Sequence, residues 1–443
     1  MTEIDVFIEA LFAEANKQGL DEYQVKYVES ESFDLQVFEQ EVSKQGASVV
    51  RRLNLAVKVG DKIGHFVTEC FDTAEVAAIV GEAIASARLM DCDEKFFFYD
   101  GQGEYRKVRP YEPMADKLSE LEPVAYLKEA EKYAYAADER IYQVIYTSFY
   151  KRKRKLLIRN SLGLNLEEKT TSAGAYISLS AKDDNGMRSY GASVCFDKED
   201  DFNPVCLARN AVDKVLKHLC PIDVVQQKTS VIFENRRFAE FLGAIASIFD
   251  AYEVDIGHSQ LKGKVGNMVA SSLLTIVDNP WLEGGFATAS FDGDGVPTKY
   301  KEVVKNGVLQ TFLYGLSMAD KHGCISTGNG SGAQEAKIFN FYIQNGTCSI
   351  DEMLRKLGNG VYIDKINGLR VGLNTITGDF SVAAEGFEIK DGKLGRPLRQ
   401  FTFAGNIYQL LKDICAVGND LTFYCSPIGS PSVWVDNITV VNS

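Results

Sequence analysis

A change of texture near residue 228 constrains this fold more than any other feature. From there on, short alternating apolar and polar runs are separated by Asn-Gly and Asp-Gly pairs: Asn306–Gly307, Asn345–Gly346, Asn367–Gly368 and Asp391–Gly392. Alternation at period two turns one face of a strand toward a core, and these dipeptides favour the turns that join antiparallel neighbours. A chain punctuated in this way is committed to sheets of short strands. The segment "KEVVKNGVLQTF" (301–312) predicts a hairpin. "SIDEMLRKLG" (349–358) predicts a helix between strands, with Ser349 and Glu352 at capping-box spacing and Gly358 as its stop.

Before residue 228 the pattern is mixed. Ile4, Phe7, Ile8, Leu11 and Ala15 recur at helical spacing and end at Gly19. "YQVKYVE" and "FDLQVFEQ" read as two strands, and "RLNLAVKVGDKIGHFVTEC" as a hairpin turning near Gly60–Gly64. Asp72 can cap a helix whose apolar face is Val76, Ile79, Val80, Ala83, Ile84 and Ala87. Residues 91–123, with Pro110, Pro113 and Pro123, read as a connecting segment. A helix to about Asp138, a long strand region to about Lys182 and a helix capped by Asn203 with Pro204 in its first turn follow. Strands and helices mix without regular βαβ alternation, so the class is α+β. The 443 residues exceed the roughly 250–300 at which one core stops growing. The expected division is an N-terminal α+β domain over 1–225 and a C-terminal β-rich domain with a few helices over 228–443.

The net charge of −13 disfavours a phosphate backbone as partner, so direct nucleic-acid binding is not expected. The one basic cluster, "KRKRKLLIR" (151–159), follows a strand-like run and reads as a solvated edge or strand end. The acidic, amphipathic N-terminus lacks a secretory signature, and no apolar run approaches the roughly 18–20 residues of a membrane span. Nine scattered cysteines without a CxxC pair predict reduced, mostly buried thiols in a cytoplasmic protein.

The motifs for chemistry fail on spacing. "FDGDGVPTKYKE" (291–302) places Asp292 and Asp294 as in a calcium loop, but Lys301 stands where a bidentate Glu is needed, so a tight acidic turn is expected. "STGNGSG" (326–332) lacks the Lys-Ser/Thr pair of a phosphate loop and reads as a flexible loop. His65, His218, His258 and His322 form no ligand pair, and no G-x-S-x-G elbow exists. In "NRRFAEFLGAIASIFDAYEVD" Asn235 is a cap candidate. Phe238, Phe241, Leu242, Ile245, Ile248 and Phe249 make one apolar stripe, with neither His nor Cys among residues 235–249.

The order of landmarks nevertheless resembles one family. "SVIF", that helix, "GHSQLKGKVGNMVASSLLTIVDNP", "SFDGDGVPT", "VVKNGVLQTFLYGLSMA", "STGNG", "TGDFSVAAEGFEIKDGKLGRP", "FAGNIYQLLKDICAVGND" and "SPSVWVDNITV" occur in the sequence of the TldD/PmbA family. The resemblance implies a cytoplasmic two-domain protein of peptide processing, also described as a modulator of DNA gyrase. The TldD branch carries an HExxxH helix, two His as metal ligands and Glu as base, and a Cys near the C-terminus. Here Gly243, Ala244 and Ile248 stand at those helix positions, and Cys425 lies near the family's Cys without its "GTCGK"-like context. The chain therefore resembles the PmbA (TldE) branch. The resemblance implies no catalytic or metal-binding residue in this chain, and zinc or iron only in a TldD-like partner. It also implies a heterodimer with that homologue, or a homodimer, and an unfolded peptide as substrate. Thr327, Asn329, Asn374, Thr377, Asp379, Ser381 and Cys425 are the candidates for lining a peptide cleft. For Asn374, Thr377 and Asp379 the competing expectation is side-chain-capped turns. Two other functional readings stand beside it: a homodimeric scaffold or gyrase modulator, and a hydrolase using Cys425, Cys324 or a serine of "STGNGSG".

Overall fold

A computed structural model of the chain describes residues 2–90, 97–109, 112–184 and 186–442. The N-terminal half is built on one six-stranded antiparallel sheet. Its strands are β1 (Tyr23–Phe38), β2 (Glu41–Val59), β3 (Lys62–Thr68), β4 (Ile141–Asn160), β5 (Asn165–Asp183) and β6 (Gly186–Cys195), in the order β3-β2-β1-β4-β5-β6. Helices α1 (Glu3–Lys17) and α2 (Val76–Leu89) pack on one end of it. Beyond the short α3 (Ala115–Glu120), α4 (Pro123–Ala137) and α5 (Pro204–Lys217) pack on the other end.

Two cores therefore sit on one face of the same long strands. Along β1, Tyr23, Val25 and Tyr27 enter the first core, and Leu35 and Val37 the second. The two strands expected between residues 23 and 40 are one. The polar stretch Ser30–Ser32 does not break it, because these residues pair with Ser48–Val50 on β2 and Arg152–Arg154 on β4. Non-local pairing overrides the local polarity. The basic run 151–159 is likewise corrected: β4 is a central strand, held between β1 and β5. Its cations meet acids on neighbouring elements, Arg152 with Asp34, Lys155 with Glu167 and Arg159 with Asp5.

In contrast, the outer edge of β2 from Glu41 to Arg52 has no strand beyond it among the described residues, because β3 pairs only with Leu53–Val59. All twelve of these residues are exposed. The turn that leads into the edge is pinned by buried Glu131 of α4, which accepts the Glu39 and Gln40 amides at 2.8 Å each.

The C-terminal half contains two further sheets. Its strands are β7 (Gln227–Phe233), β8 (Ile276–Asp278), β9 (Lys301–Lys305), β10 (Val308–Leu309), β11 (Phe341–Ile343) and β12 (Gly360–Asn367). They are followed by β13 (Asp379–Lys390), β14 (Lys393–Asn406), β15 (Ile414–Val417), β16 (Thr422–Phe423), β17 (Ile428–Ser430) and β18 (Val433–Asn442). One sheet runs β10-β9-β8-β11-β17-β16. The other runs β14-β13-β12-β7-β18-β15, and β14 also pairs with β18, so five strands close into a barrel.

Asn306–Gly307 and Asp391–Gly392 turn tight hairpins, with all four residues at positive φ as the two-residue primed turn requires. Helix α6 (Asn235–Ile245), a 3-10 turn (Ala246–Phe249) and α7 (Ala251–Asp255) follow β7. The six stripe residues from Phe238 to Phe249 are fully buried. The N-cap position of α6 is Glu234, whose side chain makes no capping hydrogen bond; Asn235 turns its amide to the Asp420 carbonyl at 3.0 Å. The remaining helices are α8 (Leu316–Lys321), α9 (Ile350–Leu357) and α10 (Ile407–Lys412). Ser349 and Glu352 form the expected capping box on α9. Among the described residues no helix is long and apolar enough to cross a membrane.

Candidate functional site

The helix at which the resemblance places a metal is α6 with its 3-10 extension. Gly243 and Ala244 are half-buried, and a side-chain carbon added to Gly243 would touch Ile428 of β17 at 3.4 Å. Ile248 is fully buried in the core. Glycine and alanine side chains carry no lone pair, and isoleucine cannot ligate, so these residues do not fit zinc or iron. Among the described residues no group of three His, Cys, Asp or Glu is arranged to hold a metal. Cys425, beside this helix on the chain leading into β17, is bonded to Cys195 at the end of β6. It is not the free thiol the sequence suggests, and among the described residues four of the six unpaired cysteines are exposed rather than buried. Cys92 lies outside the described residues.

The seven cleft candidates fall in three places. Asn374 and Thr377 are exposed on the turn entering β13, and Asp379 and Ser381 are exposed at its start. Asn374 Oδ1 accepts the Ile376 and Thr377 amides, Thr377 Oγ1 accepts the Asp379 amide, and Asn406 Nδ2 donates to Asp379 Oδ1 at 3.0 Å. Those three residues make the side-chain-capped turns weighed against a binding role. Asn329 is fully buried. Its Oδ1 accepts from Lys301 Nζ at 2.7 Å and from Thr327 Oγ1 at 2.8 Å, and its Nδ2 donates at 2.7 Å to Asp278 and to the Lys337 carbonyl. Every hydrogen-bonding group of that amide is used internally, so it offers nothing to a ligand. Cys425 is the third place, tied to the N-terminal sheet through Cys195.

The Asp-Gly-Asp turn and the glycine-rich loop belong to one buried hub. Asp292 accepts the Asp294 and Val296 amides on one oxygen and the Gly330 amide on the other, at 2.9, 2.9 and 2.6 Å. Asp294 accepts the Leu316 and Gly332 amides at 2.9 and 3.0 Å. Burial pushes both carboxyls up from their ordinary range, against the pull of these amides. The expected acidic turn is present, but the loop expected to be flexible is clamped. Gly330 sits directly on the Asp294 carboxylate, where a side-chain carbon would come within 2.0 Å of it, so no larger residue fits there.

The hub walls a cleft between the two halves of the chain. A polar compartment of about 370 Å³ is lined by Lys26, Asn54 and His65 from the N-terminal sheet, and by Asp294 and Glu335 from the C-terminal loops. Lys26 reaches across and donates to the Ser331 carbonyl at 3.1 Å, and burial lowers the proton affinity of its amine. Phe97, Phe98 and Leu316 line this compartment and also a larger apolar one of about 700 Å³ that contains Trp281, Pro297 and Ile325. A strap spans both halves: Tyr105 donates to the Gly295 carbonyl at 2.8 Å, and the Arg106 guanidinium stacks over Trp281 at 4.5 Å. Sequence reasoning missed this cleft. Lys26, His65 and Trp281 lie far apart in the chain, and no motif joins them.

Comparison with known proteins gives the same family throughout. Residues 226–442 match the PmbA/TldA metallopeptidase C-terminal domain, and residues 114–219 match the PmbA/TldA metallopeptidase central domain. The boundary at 114 cuts through one sheet, since β1–β3 and β4–β6 are continuous. The metalloprotease PmbA homolog of Haemophilus influenzae is 27% identical over 399 residues, covering 88% of this chain and 85% of that protein. The metalloprotease PmbA of Escherichia coli O157:H7 is 28% identical over 69% of this chain and 66% of its own length. Among solved structures, a proposed modulator of a DNA gyrase from Thermotoga maritima superposes with a TM-score of 0.92 and 28% identity, covering 99% of this chain and all of that one. TldE from Thermococcus kodakarensis shares the fold, with a TM-score of 0.86 at 22% identity over 98% of this chain and all of its own. The ordered landmarks, the closed barrel behind a ligand-free helix and these matches together make the chain a member of the PmbA/TldD family.

Proposed function

We propose that this chain is the non-catalytic, PmbA (TldE)-type subunit of a peptide-processing metallopeptidase, pairing with a TldD-like homologue and helping to enclose an unfolded peptide. The reading is carried by Gly243, Ala244 and Ile248, which stand where the family resemblance places two ligands and a base: a side-chain carbon on Gly243 would touch Ile428, and Ile248 is buried in the core. A hydrolytic metal needs ligands to hold it and a base to take the proton of its bound water, and none of the three residues can serve. The metalloprotease names of the relatives fit a subunit of such an enzyme as well as the enzyme itself. A hydrolase built on this chain's thiols gains no support, because Cys425 is paired and burial raises the proton affinity of the Cys324 thiol, the reverse of what a nucleophile needs. Zinc or iron then belongs to the partner. The proposed compartment is the cytoplasm, supported by the six unpaired thiols among the described residues and opposed by the single Cys195–Cys425 bond.

The test is co-expression with a homologue from the same cell that carries an intact HExxxH helix. Co-elution on size-exclusion chromatography, with metal and peptidase activity only when that homologue is present, is the expected result. Stoichiometric metal in the chain purified alone, measured by elemental mass spectrometry and accompanied by peptide cleavage, would overturn the reading.

A further inference from the structure

We infer that the cleft between the two halves binds an extended peptide in which a bulky apolar side chain is followed closely by a basic one. The inference names a substrate class within the function proposed above and rests on this chain's own residues. The apolar compartment presents Phe97, Trp281, Pro297 and Ile325 to solvent, and Ile325 is 81% exposed. An apolar cavity of about 700 Å³, open on one side and bounded by aromatic faces, is the usual shape of a small-ligand or side-chain site. Nothing within the described chain fills it.

Its charge selects the rest of the ligand. Exposed Asp100, Glu104 and Asp320 line the apolar compartment, and Glu335 lines the adjoining polar one. Two lysines line the same compartments, and both keep their charge while bonding to backbone carbonyls. Lys26 donates to the Ser331 carbonyl, and Lys299 to the Ser326 carbonyl at 3.1 Å. Arg106, just outside, lies over the Trp281 ring. The four exposed carboxylates outnumber these two lysines, so the net charge lining the cleft is negative, on a chain that is already at −13. Acids around apolar walls concentrate field lines in the cleft and favour a cationic group beside the apolar anchor. A strand-like peptide sends successive side chains to opposite faces, so an apolar residue in the large compartment places its neighbour toward the rim.

The test is fluorescence anisotropy with the full-length chain alone, without partner or metal. The probes are fluorescein-labelled Gly-Phe-Lys-Leu-Arg-Gly and its charge-reversed twin Gly-Phe-Glu-Leu-Asp-Gly. The basic peptide is expected to bind at least tenfold more tightly, with the gap narrowing as salt rises. E104K/D320K, at two exposed positions, should cost the basic peptide about tenfold and leave the acidic one unweakened. I325S should weaken both peptides. Equal affinity for the two, undiminished basic-peptide binding by E104K/D320K, or no binding of either at millimolar protein would overturn the proposal. Failure here leaves complex formation with the metal-bearing homologue intact, and failure to find that homologue leaves this binding intact, so the two readings fall separately.

Discussion

The N-terminal sheet and the C-terminal barrel solve the same problem in opposite ways. Both are made largely of antiparallel strands, whose outermost members must leave backbone groups unpaired unless something covers them. The barrel removes its edges by pairing β14 with β18 as well as with β13. The N-terminal sheet stays open, and one of its bare stretches is the twelve exposed residues of β2 from Glu41 to Arg52. That edge is blunted, not hidden: Lys44, Arg51 and Arg52 stand on it, and the register slips at Ser43 where Val42 meets Val37. The difference teaches where each half keeps its stability. The C-terminal half holds buried charges and aromatic residues locked to one another, whereas the outer part of the N-terminal sheet is held by its ladder, by the Glu131 clamp and by surface side-chain bonds such as Ser32–Ser48 and Arg51–Glu29.

This contrast can be broken most severely at Lys301. Lys301 Nζ donates to the fully buried Asp278 carboxylate at 2.9 Å, so Lys301→Met leaves Asp278 buried without its cation, and losing one partner of such a pair costs about 3–5 kcal/mol. Chemical denaturation should show the loss as a lower midpoint, and a cost below about 1 kcal/mol would mean the hub is less dry than its geometry implies. Next comes Asp250, whose oxygens accept the Tyr252 and Ala336 amides at 2.9 Å each and whose carboxyl burial pushes up to about 6. The unfolded chain releases this proton near pH 3.8, the folded one only near 6. Stability relative to Asp250→Asn should therefore fall as pH rises between those values, by about 1–2 kcal/mol once solvent screening is allowed for, and stay level above. Urea midpoints of both proteins across pH 4 to 7 check it, and a flat difference would refute the shift.

On the other side of the comparison the effects shrink. Glu131→Ala removes the clamp on the Glu39 and Gln40 amides and should cost about 1–2 kcal/mol, since water can reach the turn once it opens. Hydrogen exchange should quicken at those two amides and little elsewhere. Val49→Ser, in the middle of the bare edge, should change stability by less than about 0.5 kcal/mol. A loss of more than 1 kcal/mol in the isolated chain would show that something already covers the edge in solution.

Features decided by near neighbours in the chain could be read in advance. The α9 capping box, the Asn203 cap, the hairpin at Asn306–Gly307 and the stripe from Phe238 to Phe249 each need only a few consecutive residues. What escaped depends on distant pairing. Ser30–Ser32 looks like a break until β2 and β4 are laid beside it, and the run 151–159 looks like an edge until β5 is. The site shows the same split. The missing ligands at Gly243, Ala244 and Ile248 could be seen residue by residue, because the identity of a side chain needs no fold. The commitment of Asn329 could not, since Asp278, Lys301 and Lys337 come from separate elements. Nor could the Cys195–Cys425 bond, which joins residues 230 positions apart.

The closure of the barrel also sets an order of events during synthesis. All six strands of the N-terminal sheet have been translated once Cys195 is made, so that sheet can assemble while translation continues. The barrel cannot, because its first strand, β7, lies beside its last, β18, and their pairing spans Gln227 to Val440. Until β18 leaves the ribosome, β7 lacks one neighbour and the aromatic cluster around Phe233 stays open to solvent. Those two hundred intervening residues are the stretch of the nascent chain for which a holding chaperone would matter most.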